Sequence, residues 1–247
     1  HLIPATMEGK AIHNVQNAMF AVAIAYSMGM SLDDLRNGLR TFVSSYHQTP
    51  GRMNFYDEHP FKVLLDYGHN PAAINMIGKF VDQMQVSGRK TAVVTFPGDR
   101  TDELIEESVK LLPKHFTHFI VKQDDNRRGR PSGEVAELIR SLLIKHGTKA
   151  ENIEIILDEQ EAVNKALSSA VEGDYVVVFA DKVSRCWKQI TSFKSTGNVR
   201  VKDVDTRADD HLLERGEVDL IADAISNATM RTDKRGVIIE IEEELND

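Results

Sequence analysis

Apolar positions change their spacing partway along the chain. Over the first fifty residues they recur at helical intervals. Residues 12–28 are rich in Ala, Met and Phe, and Gly29 follows as a stop. Ser31-Leu-Asp-Asp34 has the form of a helix start and predicts a second helix to about residue 43. Two helices alone bury too little apolar surface to be stable. The pair is therefore expected to end something larger or to pack on the next part of the chain. Gln48-Thr-Pro-Gly51 is a turn signal and marks the expected boundary.

Beyond it, short β-branched runs take turns with amphipathic stretches. Strands are expected at residues 61–66, 91–96, 116–121, 153–157 and 174–180. Helices are expected at 71–87, 101–112, 133–146, 159–171 and 182–190. Consecutive βα units of this kind predict an α/β, Rossmann-like fold: a mostly parallel sheet with helices on both faces. Val176-Val-Val suits a strand buried on both sides. Ligands bind such sheets at the carboxyl ends of the strands, which directs attention to the loops after Asp66, Phe96 and Val121. Residues 196–247 differ. From Val199 onward they hold 14 Asp/Glu against 7 Lys/Arg. They read as an acidic appendage with a helix over 210–228 and a strand over 236–241, its charge most simply a solvated face.

Composition narrows the class. With 247 residues, 41% hydrophobic and 28% charged, the chain suits one large domain, or an ordinary one with additions, and excludes wholesale disorder. No apolar run reaches the roughly 18 residues of a membrane helix. A net charge of −8 argues against nucleic acid as a partner. The single cysteine, Cys186, cannot form an internal disulfide or a cysteine metal site, so a cytoplasmic protein is expected. The opening His-Leu-Ile-Pro lacks a start Met and predicts a processed chain or a piece of a longer one.

Several constellations can carry chemistry. In Asp66-Tyr-Gly-His-Asn-Pro71 a strand ends on an acid, a glycine turn follows, and a proline opens a helix. Asp66 can accept from ribose hydroxyls or a metal-bound water, His69 can donate to a phosphate, and the helix start favours anions. An ordinary capped turn explains the string equally well. Arg52, at the joint, is either a solvated linker residue or a bridge to phosphate. Asn14 and Asn17 share one face of a helix start, where they either cap the helix or read an adenine edge. Pro97-Gly-Asp-Arg100 either lines the same cleft or is turn chemistry before acidic residues at a helix start. The densest polar cluster, Asp124-Asp-Asn-Arg-Arg-Gly-Arg130, is either a solvated loop or a substrate loop. Its arginines suit a carboxylate ligand, and its acids suit a cationic one. The sequence carries no phosphate loop of the Gly-x-x-x-x-Gly-Lys-[Ser/Thr] form, no Gly-x-Gly-x-x-Gly, no Gly-x-Ser-x-Gly elbow, and no metal-ligand spacing of histidines.

In their order and spacing these motifs resemble the Mur ligase family. The strings are Asn14 to Asn17, Gly51-Arg52 and Asp66 to Pro71, with Gln48 to Asn54, Pro97 to Arg100 and Asp125 to Pro131 beside them. The resemblance covers residues 1–195. It implies that residues 1–50 are the last helices of a central ATPase domain and residues 51–195 a Rossmann-like C-terminal domain. It implies an ATP-dependent ligase that makes an amide through an acyl phosphate, with ATP and Mg²⁺ as cofactors and the metal ligands mostly outside this chain. The detailed strings resemble a branch that joins arginine to the aspartate β-carboxyl of a poly-aspartate backbone. The implied partners are ATP, arginine, an aspartate-containing polypeptide, the preceding domains and further copies of the chain. By the same resemblance Asn14 and Asn17 lie near the nucleotide, and Arg52 contacts phosphate and couples domain closure to ATP. Asp66 accepts from ribose or metal-bound water with His69 nearby. Asp124, Asp125, Asn126, Arg127 and Arg128 meet the incoming amino acid. Without a phosphate loop, the chain alone is expected to be inactive. The competing expectations are a folate-polyglutamylating or peptidoglycan ligase and a non-catalytic binding or assembly domain.

Overall fold

The computed structural model describes residues 3–84, 86–194, 229–233 and 236–240. They fall into two units, divided after Val199. The first opens with two helices, α1 (Ile12–Ser27) and α2 (Leu32–Thr41). The Ser31 hydroxyl accepts from the Asp34 N–H at 3.2 Å and starts α2 as its sequence predicts, a cap worth about 1 kcal/mol. α1 is unusual for a helix of a folded unit: it has no buried residue. Met19 is 67% exposed, Phe20 69% and Ile24 60%, so the apolar side chains that predict the helix lie uncovered.

The sheet comes next. Its strands are β1 (Asn54–Tyr56), β2 (Lys62–Asp66), β3 (Lys90–Val94), β4 (His118–Val121), β5 (Ile153–Ile155) and β6 (Tyr175–Phe179). They lie in the order β1-β2-β6-β3-β4-β5, and all pairs are parallel except β1 with β2. Between them run α3 (Pro71–Asp82), α4 (Asp102–Val109), α5 (Glu134–Lys145) and α6 (Glu159–Ser169), with α7 (Val183–Ser192) after β6.

Strand alternation sorts the core into two layers. Leu64, Val94, Phe119 and Val177 face α3, α4 and α5 through Ile77, Phe80, Ile105 and Ile139. Val63, Leu65, Val93 and Val178 face α6 and α7 through Val163, Leu167, Cys186 and Ile190. The central strands are thus sealed on both sides, as the run at 176–178 predicts. The chain leaves β3 toward one face and β6 toward the other. These neighbouring strands form the switch point of the sheet, where a crevice opens at their carboxyl ends.

Two expectations needed correction. β1 is an added antiparallel edge strand of three residues, too short to show a period. α3 stops at Asp82 rather than running to 87. The Gly88 N–H donates to the Gly173 carbonyl at 3.0 Å and the Arg89 N–H to Asp174 at 2.7 Å, so the chain must leave the helix early to run beneath β6. In the second unit β7 (Thr229–Asp233) pairs antiparallel with β8 (Gly236–Glu240). The expected strand at 236–241 is there, with a partner that the sequence pattern does not predict, and the expected helix at 210–228 lies outside the described residues.

Packing at the amino end of the sheet is tight. A Cβ built on Gly78 of α3 would fall 2.1 Å from the His115 ring. That ring is held by Asp82, 2.6 Å from its Nδ1. Gly78→Ala should cost about 1–3 kcal/mol of stability by overpacking, read as a lower denaturant midpoint at unchanged slope.

Candidate functional site

The carboxyl ends of β2, β3, β4 and β6 converge on a small pocket of about 20 Å³, lined by Tyr67, His69, Thr95, Asp124, Phe179 and Asp181 among others. It sits at the switch point. Gly68 floors it because a side chain there would meet Ala73 at 2.9 Å and Asp66 at 3.0 Å. The Thr95 hydroxyl is buried with no hydrogen-bond partner. Beside the pocket, Asp125 to Pro131 line an open concavity of about 640 Å³.

Asp66 is 5% exposed. One of its oxygens accepts from the Met53 N–H at 2.9 Å and the other from the Gly68 N–H at 2.6 Å. Burial pushes its carboxyl above the usual range, while those two donors, Arg52 and His69 oppose the shift. The residue thus fastens the joint to the end of β2, a duty its sequence position does not announce. Asn54 reinforces the joint, accepting from Gly51 N–H at 2.7 Å and donating to the Thr49 carbonyl at 2.9 Å. Tyr46 stacks on Trp187 of α7 with ring centres 5.0 Å apart. Arg52 is exposed on this pinned segment, with its guanidinium carbon 6.0 Å from the Tyr67 ring centre. His69 is half-buried, and its Nδ1 lies 3.0 Å from the Tyr67 carbonyl. The structure therefore brings Arg52, Asp66 and His69 together around Tyr67.

Asn14 and Asn17 lie elsewhere, on α1. The Asn14 amide donates to the Ala5 carbonyl at 2.8 Å, and Asn17 donates to the Asn14 carboxamide at 3.4 Å. Asn14 thereby ties down the turn before the helix, while Asn17 is exposed.

The 124–131 loop is more ordered by its own contacts than a solvated loop would be. The Arg128 guanidinium reaches Asp99 at 3.0 Å. Arg130 donates to the Gly98 carbonyl at 2.9 Å and pairs with Asp102 at 2.8 Å and Glu134 at 3.0 Å. Gly98 has to be glycine for this docking, since a Cβ would lie 2.3 Å from the Arg127 carbonyl. The Asn126 carboxamide accepts from the Arg128 N–H at 3.0 Å. Arg127 is exposed, and among the described residues its guanidinium has no partner. Asp125 already holds a guanidinium, that of Arg185, in a two-pronged pair at 2.9 and 3.0 Å. Asp124 is half-buried, and its carboxyl is pushed up by burial; Asp181 and Glu159 add to the shift and Lys122 and Arg128 oppose it.

Two residues that sequence reasoning missed organise this end of the sheet. Lys122 and Glu159 are 0% and 1% exposed, with Nζ 2.9 Å from Oε1. The approach is off the axis of a good hydrogen bond, so the attraction is chiefly charge on charge. Glu159 also accepts from the Asp181 N–H at 2.7 Å and from Arg185 at 2.6 Å. Burial alone would raise its pKa, but Lys122 and these donors outweigh burial and pull it down to about 2. In sequence Glu159 looks like any acid at a helix start, and Lys122 like a solvated strand end. Only their place beside apolar β4 and after the N-cap Asp158 hints otherwise. Among the described residues no three His, Cys, Asp or Glu side chains are grouped to hold a metal ion, and no helix is long and apolar enough to cross a membrane.

A mostly parallel sheet with helices on both faces and its polar groups gathered at the switch point defines a Rossmann-like α/β domain. Residues 51–181 match the family model described as Mur ligase, glutamate ligase domain, and the chain belongs to the Mur ligase family. Within the family it is 40% identical over 183 residues to a cyanophycin synthetase of Crocosphaera subtropica, covering 74% of this chain and 21% of that protein. It is 42% identical over 188 residues to the cyanophycin synthetase of a Nostoc species, covering 76% and 21%. The chain spans about a fifth of the length of these relatives. Among solved structures, Escherichia coli FolC in complex with ADP superposes with a TM-score of 0.56 at 21% identity, over 71% of this chain and 38% of that one. Mycobacterium tuberculosis folylpolyglutamate synthase complexed with ADP and AMPPCP gives 0.54 at 18%, over 74% and 41%. These two likenesses concern the fold.

Glu159 yields a pH prediction. Its folded pKa lies below the ordinary 4.5, so its contribution to stability is full above about 4.5 and is lost as pH falls toward 2. Unfolding free energy measured across that window should drop in the wild type, and Glu159→Gln should flatten the drop. Equal slopes would show that Glu159 does not carry the acid sensitivity.

Proposed function

We propose that this chain supplies the C-terminal lobe of an ATP-dependent amide ligase that joins arginine to the β-carboxyl of aspartate on a poly-aspartate backbone. In that reaction the carboxylate takes the γ-phosphoryl group of ATP as an acyl phosphate, and the amine displaces phosphate. The reading is carried by one observation: the motif residues at 51–52, 66–69 and 124–128 meet at one end of the sheet, in a chain about 40% identical to cyanophycin synthetases.

The donor set suits an anionic nucleotide in part. Arg52 offers an exposed guanidinium at the joint and His69 a ring nitrogen beside it, both matched to phosphate oxygens. Asp66, with both oxygens taken by backbone N–H groups, acts by holding Arg52 in place. The Asn14 carboxamide oxygen accepts from Asn17 at 3.4 Å and keeps a second lone pair for a nucleotide. A pocket of about 20 Å³ is far below the several hundred Å³ of a complete small-molecule site, which favours a nucleotide shared with another domain. The uncovered face of α1 supports the same division: residues 1–50 close a central ATPase domain, 51–195 form the C-terminal domain, and 196–247 are an appendage. Magnesium, where the reaction uses it, would neutralise phosphate charge, with its ligands mostly outside this chain.

The test is a substrate panel on the natural full-length polypeptide, following ADP release with arginine, glutamate and diaminopimelate on their respective acceptors. Arginine-dependent release on a poly-aspartate acceptor is expected. Release with glutamate or diaminopimelate alone would move the chain to another branch of the family, and release with none would leave a binding or assembly role.

In the same enzyme Arg52→Ala should lower turnover on the order of a hundredfold with folding intact. Normal turnover would remove Arg52 from the phosphate site. Asp66→Ala should instead cost about 2–3 kcal/mol of stability, because it leaves two N–H groups of a buried segment unpaired.

A further inference from the structure

The charged groups beneath the 124–131 loop form a chain of contacts with a direction. Lys122 Nζ meets Glu159 at 2.9 Å, Glu159 meets Arg185 at 2.6 Å, and Arg185 grips both oxygens of Asp125 at 2.9 and 3.0 Å. The first two residues are sealed from water. Asp125 is also held through its backbone, whose N–H donates to Asp181 at 3.1 Å. An arginine fork on a carboxylate is geometrically exacting as well as strong. Both oxygens of Asp125 are thereby engaged in anchoring the loop. Asp124 is placed differently: it lines the switch-point pocket, and among the described residues no hydrogen bond or ion pair reaches its carboxylate. Thr95, 6% exposed and lining the same pocket, has a hydroxyl without a partner.

We propose that Lys122, Glu159 and Arg185 are positioning residues that fix Asp125 and so present Asp124, with the Thr95 hydroxyl, as the group that meets a cationic part of the incoming amino acid. The proposal rests on the ligase reading of the loop. It divides the acids of the loop by task. Asp125 belongs to the scaffold, and Asp124 faces the ligand. The buried pair acts only through Arg185. Lys122 neutralises the inner side of Glu159, which leaves the outer oxygen to orient Arg185.

Limited trypsin digestion of the natural full-length polypeptide, with fragments identified by mass, reads the anchoring apart from activity. The bonds after Arg127 and Arg128 are the reporters. Arg185→Gln should raise cleavage there about tenfold, the scale of a lost charge-assisted hydrogen bond. It should raise the KM for the amino acid by a similar factor and leave the KM for ATP and the circular dichroism unchanged. Arg185→Lys, which keeps the charge and loses the fork, should restore part of both effects. Arg140→Gln, on the exposed side of α5, serves as the control. Asp124→Asn should raise the amino-acid KM with cleavage unchanged.

Wild-type cleavage in Arg185→Gln would overturn the positioning role. Increased cleavage with an unchanged amino-acid KM would keep the anchor but overturn the assignment of the loop to substrate. An unchanged KM in Asp124→Asn, beside a raised one in Arg185→Gln, would overturn the choice of Asp124.

Discussion

A carboxylate sealed from water has to be neutralised where it stands, and Glu159 is neutralised from three directions. Lys122 comes from the end of β4, the Asp181 N–H from the end of β6, and Arg185 from α7. Desolvating such a group costs several kcal/mol unless its partners are already in place. The end of β4, the turn after β6 and the start of α6 are therefore obliged to occupy fixed relative positions. The switch-point crevice is the space that this obligation leaves open. The arrangement explains how a polar end can be built on a sheet whose centre is apolar on both faces. The charges are set against one another rather than left facing the core.

Asp66 imposes a second, smaller obligation of the same kind. Its two oxygens bind the start of β1 and the turn into α3, so the segment from Thr49 to Asn54 belongs to the sheet. The stacking of Tyr46 on Trp187 extends that attachment toward the helical pair. The residues between α2 and Tyr46 are tied forward along the chain: the Val43 N–H donates to Gln48 at 2.8 Å and the Thr49 N–H to the Ser45 carbonyl at 2.9 Å. Arg52 stands at the rim of this fixed segment and moves with the sheet.

Much of the fold is legible in the sequence because its strands and helices use regular periods. Each of the five parallel strands overlaps its expected position, and the run at Val176 announces a strand buried on both sides. What escapes is what has no period. β1 is three residues long, and α3 ends early because Gly88 and Arg89 are bound to residues 85 positions away in the chain. The candidate site is partly legible. The turn at 66–71 and the loop at 124–131 are conspicuous for their glycines and clustered charges, and they do meet at one end of the sheet. Their internal pairings are not legible. That Asp125 is taken by Arg185, and Arg130 by Gly98 and Asp102, depends on which segments the sheet order makes neighbours. Lys122 and Glu159 are harder still, since beyond their places after β4 and after the N-cap Asp158 nothing local marks either half of a buried ion pair.

The close approach of Gly98 to the Arg127 carbonyl also bears on how such a loop can be altered. The 97–102 turn and the 124–131 loop hold each other through Arg128, Arg130 and that missing side chain, and Arg185 holds the loop from below. The unit that can be exchanged between relatives is accordingly both segments together with position 185. A graft of the loop alone would set foreign residues on a surface cut for these, and its effect on substrate choice would be confounded with a misfit.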